Sequence, residues 1–364
     1  MKETPYQPID IVPFDPHHAT AAQWAAYHAY RRIRAEEDIP GEPILSDADF
    51  EHHLRRHRPM DESRRVIALH GERVVGNLLL EFRRAGTPDY ERFAPFVGAG
   101  GGVMQAYRRQ GIATSLLGAL LVFMQEHGKT TATLGAAARD ANAFLQAMGA
   151  TEKHRAVENR LPLGGLDWDA LDRWQANATS APGAHLRWEI HAGRVPLDRL
   201  ARLMAPFTVL IGDMPLGALD LPAIRYELPA HVSWYEEMDR SGGEHLVVML
   251  LDGDEVAAVC NAHWEKRFPD RVFQALTAVA RPWRGKGLAK GVKAAMLKLV
   301  RERHPEVRMI VTHNAEVNAP MLSINRRLGF GVYRQTVSYQ IDRESLGRRL
   351  GEPRGVRLRP APFR

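Results

Sequence analysis

The chain has 364 residues, 45% hydrophobic and 25% charged, with a formal net charge of +6 and a single cysteine, Cys260. That length exceeds one ordinary domain and calls for two of roughly 150–200 residues. No apolar run reaches the roughly 18 residues of a membrane span, the N-terminal MKETPYQPIDIVPFD has no signal-peptide core, and one cysteine makes no internal disulfide; the expectation is a cytoplasmic protein.

In chain order, helical patterning covers Ala21–Glu37 and Asp47–Arg58. Strand-like runs follow at Val66–His70 and Val74–Leu80, joined by Gly-Glu-Arg as a hairpin. A third strand near Gly101–Gln105 leads to a helix at Thr114–His127 and a strand at Thr130–Leu134. Leu163–Gly183, rich in Gly, Ala and Asp, reads as a linker, partly helical at Trp168–Gln175. The same order then returns. Helices at Leu197–Ile211 and Ala223–Arg240 precede a hairpin, Leu246–Leu251 and Glu255–Cys260, around Asp-Gly-Asp. A strand at Phe273–Val279, a helix at Lys290–Arg303 and a strand at Val307–Thr312 complete the second copy.

This repetition predicts an α/β fold of two tandem domains, each a mixed, mostly antiparallel central sheet flanked by helices. The expected division is 1–163, a linker at 164–184, 185–342, and a basic tail at 343–364 with seven arginines and two acids. No zinc-finger spacing or stacking-aromatic signature accompanies the basic residues, so nucleic acid is not the expected partner. The positive charge suits either an anionic ligand or a solvated surface.

The strongest internal match is a glycine turn. Tyr107-Arg-Arg-Gln-Gly-Ile-Ala113 corresponds to Trp283-Arg-Gly-Lys-Gly-Leu-Ala289, and a constant offset of 176 separates Arg108 from Arg284, Gly111 from Gly287, and Ala113 from Ala289. Each turn links a strand to a helix. A helix N-terminus presents unpaired N–H groups and partial positive charge, and glycine lets backbone approach an anion closely. The result is a pyrophosphate cradle. The dinucleotide pattern fails, because Gly285-Lys-Gly287 continues as Leu-Ala-Lys290. The Walker pattern fails too, since no Ser or Thr follows a Gly-Lys pair in either turn.

With both turns in view, the chain resembles the GNAT superfamily of acyl-CoA N-acyltransferases, whose central motif is Gln/Arg-x-x-Gly-x-Gly/Ala. Arg284-Gly-Lys-Gly-Leu-Ala289 and Arg108-Arg-Gln-Gly-Ile-Ala113 match it. A second family motif, an Asn-led helix ending in Leu-Gly-Phe, is similar to Asn314–Phe330. The resemblance implies acetyl-CoA, or another acyl-CoA, as cofactor and a small-molecule amine as acceptor. It places pyrophosphate on Gly285, Lys286, Gly287, Leu288, Ala289 and Lys290, beside Arg284, and pantetheine between Phe273–Val279 and Val307–His313. Val279 and Asn318 are its further cofactor contacts. In the first copy the corresponding residues are Arg108, Arg109, Gly111 and Ala113.

Departures from the family pattern locate the uncertainty in the chemistry. The tyrosine that many members carry five residues before the motif's last Phe is Asn325 here. Its amide either hydrogen-bonds the thiolate or thioester carbonyl or packs locally. His313, at the end of the strand flanking the cofactor, is the candidate base, or it is simply held beside Asn314. Glu236, Glu237 and Asp239 either bind an amine or form a solvated helix face. In the first copy Gly149 aligns with Gly329 at an offset of 180, so about one helical turn is expected to be missing. Ala138, Leu145 and Ala150 then replace Asn318, Asn325 and Phe330. The C-terminal half is therefore the expected catalyst, by direct transfer in a ternary complex; the alternative is a CoA-binding regulatory or scaffold protein. His53 and His57 have metal-ligand spacing, but Arg55, Arg56 and Arg58 crowd them, and no metal is expected. Cys260, in an apolar strand, reads as a buried inert thiol.

Overall fold

The computed structural model describes residues 9–180, 185–215, 217–351 and 357–358. The first copy runs β1 (Ile9–Pro13), α1 (Ala21–Asp38), α2 (Asp47–Arg55), β2 (Asp61–His70) and β3 (Arg73–Arg83). It continues with α3 (Tyr90–Phe93), β4 (Phe96–Val103), α4 (Ile112–Glu126), β5 (Thr131–Ala136), α5 (Arg139–Ala147) and β6 (Thr151–Pro162). After α6 (Trp168–Ala178) the second copy follows: β7 (Leu186–Ala192), α7 (Leu197–Gly212), α8 (Leu228–Arg240), β8 (Glu244–Asp252) and β9 (Glu255–Trp264). Then come β10 (Arg271–Val279), α9 (Leu288–Arg303), β11 (Met309–Ala315), α10 (Ala319–Leu328), β12 (Gly331–Asp342), α11 (Arg343–Leu350) and β13 (Arg357–Leu358). The repeated order is the one the sequence predicts.

Local chemistry explains several boundaries. Thr20 and Gln23 form a reciprocal capping box that starts α1. The Asp342 side chain accepts from Ser345 N and starts α11. Gly111 and Gly287, at φ 80° and 81°, are the left-handed residues from which α4 and α9 start.

Two compact units divide the chain, and neither is one continuous stretch. Unit 1 comprises residues 1–153, 219–222 and 337–364; unit 2 comprises 154–218 and 223–336. In unit 1 the strand order is β13-β1-β2-β3-β4-β5-β12, with β4 and β5 parallel and β5 antiparallel to residues 337–342 of β12. In unit 2 the order is β6-β11-β10-β9-β8-β7, with β10 and β11 parallel and β6 antiparallel to β11. Each copy's last strand thus completes the sheet of the other unit. An antiparallel edge accepts any strand of matching register, whichever copy encodes it.

Unit 2 packs both faces of its sheet. Leu246, Val248 and Leu250 join one core with Val292, Met296 and Val300 of α9, while Val247, Met249 and Leu251 join another with Leu203 and Phe207 of α7. Burial on both faces is why this strand is a continuous apolar run rather than an alternating one.

Three expectations change. The segment read as a linker carries α6, whose Leu171 and Ala178 are each 1% exposed and belong to the unit 2 core; residues 181–184 lie outside the described residues. The basic tail begins with α11, whose Leu346 is fully buried in the unit 1 core. The rest of that tail, apart from Gly351 and the two residues of β13, is outside the described residues. The four residues missing from the first copy are not one helical turn. One is lost in α4 (15 residues against 16 in α9), one in β5 (6 against 7 in β11), and one in each of two connections.

A Cβ added at Gly291 of α9 would lie 2.3 Å from the Ala178 Cβ, whereas one at Gly118 of α4 would meet nothing within 4 Å. Gly291→Ala is expected to destabilise the protein by about 1–3 kcal/mol, and Gly118→Ala to stabilise it by about 0.5–1 kcal/mol. Urea denaturation midpoints moving in the same direction for both would contradict this packing of α6 on α9.

Candidate active site

In unit 2, β10 pairs with β11 from Arg271/Met309 to Gln274/Thr312, and there the parallel ladder stops. β10 stays bonded to β9 as far as Val279/Ala258 through a register shift between Gln274 and Thr277. The Asn261 side chain takes up Leu276 N at 2.7 Å across that shift. One extra residue bends β10 there, and past Gln274/Thr312 an opening separates it from β11.

Beyond β10 the chain makes a short 3₁₀ turn at Arg281–Trp283 and enters α9 through Gly285 and Gly287, at φ 79° and 81°. No atom lies within 4 Å of where a Cβ would stand on either glycine. A side chain there would fill the space in front of the helix N-terminus, so the turn fits a phosphate-bearing group. Lys290 N already donates to the Gly287 carbonyl at 3.0 Å. The cradle can draw only on N–H groups up to Ala289. Lys286 and Lys290 hold their ammonium groups 4.3 and 5.4 Å from the rings of Trp283 and Trp174.

Arg284 is otherwise engaged. Its Nε donates to the Val279 carbonyl at 3.1 Å and its Nη2 to Asp213 at 2.7 Å. Asp213, which caps α7, also binds Arg281 at 2.7 Å, and Arg281 above all holds its carboxyl below the usual range. Unit 1 repeats the arrangement: Arg108 Nε donates to Val103 O at 3.2 Å, and Glu37 near the end of α1 lies 3.7 Å from its Nη2. In both turns the first arginine braces the loop against the strand it leaves. Arg109, left-handed at φ 63°, and the Gly111–Ala113 helix start complete the unit 1 turn.

The two openings differ in what lines them. In unit 2, His313 is the first β11 residue past the last paired position; its side chain is 64% exposed and its Nε2 lies 3.7 Å from Glu158. Its neighbour is therefore Glu158 rather than Asn314. Asn325 is 1% exposed, and its Nδ2 donates to Asn314 Oδ1 at 2.7 Å. Among the described residues the Asn325 Oδ1 has no partner. Asn318 caps α10, accepting from Met321 N at 3.3 Å. On the α9 side, Lys293 is fully buried, donates to Gln274 Oε1, and sits 5.1 Å from the Phe330 ring. Burial pushes its ammonium down to about 8. Cys260, bonded by Gln274 and Thr277, has its thiol pushed up by burial.

In unit 1 the ladder ends at Ala99/Leu134, and the residues after it on β5 are Gly135 and Ala136. Leu117 and Leu145 stand where unit 2 has Lys293 and Asn325. A cavity of about 700 Å³ occupies this opening, reaching from Arg108, Arg109 and Gly111 to Leu134, Phe144 and Leu145. Gly100, at its floor, has nothing within 4 Å of a Cβ position.

Sequence reading missed Lys293, because a lysine within an amphipathic helix ordinarily reads as exposed. It also missed a cluster on the other face of the unit 2 sheet. His231, Trp234 and Tyr235 of α8 cover His245 of β8 and His263 of β9, with Tyr235 Oη 2.9 Å from His245 Nδ1. Burial, with the neighbouring histidines, pushes His245 down to about 3. Two of the three acids of α8 are paired, Glu237 with Arg240 and Arg267, and Asp239 with Arg194.

A sequence model of the acetyltransferase (GNAT) family matches residues 24–150 and 216–330. Among solved structures, a tandem GNAT protein from the clavulanic acid biosynthesis pathway is similar at a TM-score of 0.70 and 21% identity, over 92% of this chain and 98% of that one. A GCN5-related N-acetyltransferase from Sphaerobacter thermophilus gives 0.61 and 16%, over 93% and 97%. A glucosamine N-acetyltransferase region of a fungal multi-domain GH3 β-N-acetylglucosaminidase gives 0.62 and 14%, over 92% of this chain and 38% of that one. At these identities the likeness is one of fold. No curated protein sequence matches the chain.

Two predictions follow from the buried polar groups of unit 2. His245 has a folded pKa near 3 against an ordinary value of 6.5. The unfolded chain therefore binds its proton first, and stability present above pH 6.5 is lost as pH falls from there toward 3. The urea midpoint of His245→Gln should fall less steeply over that window than that of the parent; parallel profiles would refute it. Asn325→Leu, which removes an unpartnered buried oxygen, should keep folding stability within about 1 kcal/mol of the parent, as read by the same midpoint.

Proposed function

The chain belongs to the acetyltransferase (GNAT) family, and we propose that it moves an acyl group, acetyl above all, from acyl-CoA to a small-molecule amine by direct transfer in a ternary complex, with unit 2 as the catalyst. The observation supporting this reading is that β10 and β11 part after Gln274/Thr312, with the Asn325–Asn314 pair just beyond and His313 exposed beside Glu158 on the other face of β11. Unit 1 offers only Gly135, Ala136 and Leu145 at the corresponding positions.

The cofactor, when bound, supplies a thioester as the activated acyl group. The protein's own groups do the rest. N–H groups from Gly285 to Ala289 hold pyrophosphate at the start of α9, with Lys286 and Lys290 alongside. The strand edge that β10 exposes after Gln274 orients the pantetheine arm, with Val279 at its end. His313 Nε2, 3.7 Å from Glu158, takes the proton that the attacking amine must lose. Asn325 gives one of its two N–H groups to Asn314 and also offers an acceptor oxygen, which can receive an N–H or S–H.

A second reading covers unit 1. Its cavity of about 700 Å³ behind an intact glycine turn supports CoA binding without turnover, as a structural or regulatory site.

Thiol release from acetyl-CoA across a panel of amines, amino sugars included, tests both readings. The parent should turn over at least one amine. Gly287→Glu should lose on the order of 100-fold in kcat/KM, Gly111→Glu should stay within about twofold, and His313→Gln should lose roughly 10²-fold in kcat. Tight CoA binding with no release on any amine would establish the scaffold reading instead. Loss of turnover in folded Gly111→Glu would overturn the division of labour.

A further inference from the structure

Unit 1 holds a second cavity of a different kind. It measures about 480 Å³ and lies between the loop at residues 13–17, the end of α2, the first half of β2 and Arg84. Six arginines, Arg55, Arg56, Arg58, Arg64, Arg65 and Arg84, face three carboxylates across it. Those carboxylates are already engaged. Glu62 binds Arg64 at 3.1 Å and Arg84 at 3.4 Å, Asp61 binds Arg83 at 3.4 Å, and Asp15 binds His18 at 2.7 Å. Arg55 and Arg58 turn to Glu51 and Glu81, at 2.9 and 2.6 Å.

Arg65 is the exception. It is 9% exposed, and its one side-chain hydrogen bond runs from Nη1 to Tyr27 Oη at 3.4 Å. Among the described residues no carboxylate pairs with it. A guanidinium has five N–H donors in a planar fork, and a buried cation without a counter-charge is strongly unfavourable unless something supplies one. The wall it belongs to carries three more positive than negative side chains, counting six arginines against three acids.

We propose that this arginine cavity binds a small metabolite through an oxyanion group, phosphate or carboxylate, seated on Arg65, with Arg64 and Arg84 among the arginines that line the same cavity. Both anions match guanidinium forks with paired hydrogen bonds, and the volume suits a small organic anion. The site is separate from the glycine turn. Val103, where β4 ends before that turn, pairs with Gly76, which pairs with Ala68. From Ala68, β2 runs back through Arg65 to Asp61, roughly 10 to 20 Å away along the strand. The inference therefore does not rest on the acyl-transfer reading.

Calorimetric titration of the full chain with inorganic phosphate and with citrate, at fixed ionic strength against chloride, tests it. Saturable binding of at least one is expected, weakened at least tenfold by Arg65→Met and by the paired change Arg64→Gln with Arg84→Gln, and unchanged in Gly111→Glu and Gly287→Glu. The paired variant keeps the test open should Arg65→Met fail to fold. Citrate alone binding assigns a carboxylate ligand; phosphate alone assigns a phosphate ester. No saturable binding of either, or binding that the glycine variants abolish and the arginine variants retain, would overturn the proposal.

Discussion

A helix that starts on a left-handed glycine, directly after a strand whose parallel neighbour has let go, is the constraint on which both units turn. At φ 80° and 81°, Gly111 and Gly287 hold a conformation that costs a side-chain-bearing residue roughly 1–2 kcal/mol. A Cβ there would also project into the space the helix N-terminus faces. The turn holds its shape because an arginine reaches back to the strand it came from, Arg108 to Val103 and Arg284 to Val279. An acid at the end of the preceding long helix steadies that arginine from the other side. The first arginine of each motif thus serves the loop's geometry, and in unit 2 Lys286 and Lys290 rest on tryptophan rings.

With the same backbone device in both units, the interiors have diverged. Unit 1 lines its opening with Leu117, Leu134, Phe144 and Leu145 and keeps a large apolar cavity. Unit 2 places Lys293, Gln274, Asn314 and Asn325 around the equivalent region, all hydrogen-bonded side chain to side chain. Burying an ammonium without a carboxylate partner is unfavourable, and its depressed pKa is the record of that strain. The register shift in β10 occurs in the unit that carries this lysine, whereas β3 and β4 of unit 1 pair without a shift. Polarity at the opening and the bend in the strand coincide.

Much of this was legible in the residues. Hairpins, amphipathic helices and glycine turns are local, so periodicity and turn chemistry placed nearly every element in order, and the constant offset of 176 between Gly111 and Gly287 disclosed the duplication. The replacement of Asn325 and Asn318 by Leu145 and Ala138 could likewise be read by alignment, and α5 and α10 do begin on Ala138 and Asn318. What the linear pattern could not carry was long-range. Leu163–Gly183 has the composition of a linker, yet Leu171 and Ala178 are core residues, and Gly291 leaves the room that Ala178 occupies.

The sequence by itself determined the element order, the two glycine turns and the family they resemble, because each depends on residues a few positions apart. Only the tertiary structure decided which sheet each terminal strand completes, that Arg284 is held by Asp213 rather than free, that His313 faces Glu158, and that Arg65 is buried with no carboxylate partner among the described residues. Strand partners, ion pairs and burial depend on residues tens to hundreds of positions apart, brought together only when the chain closes on itself.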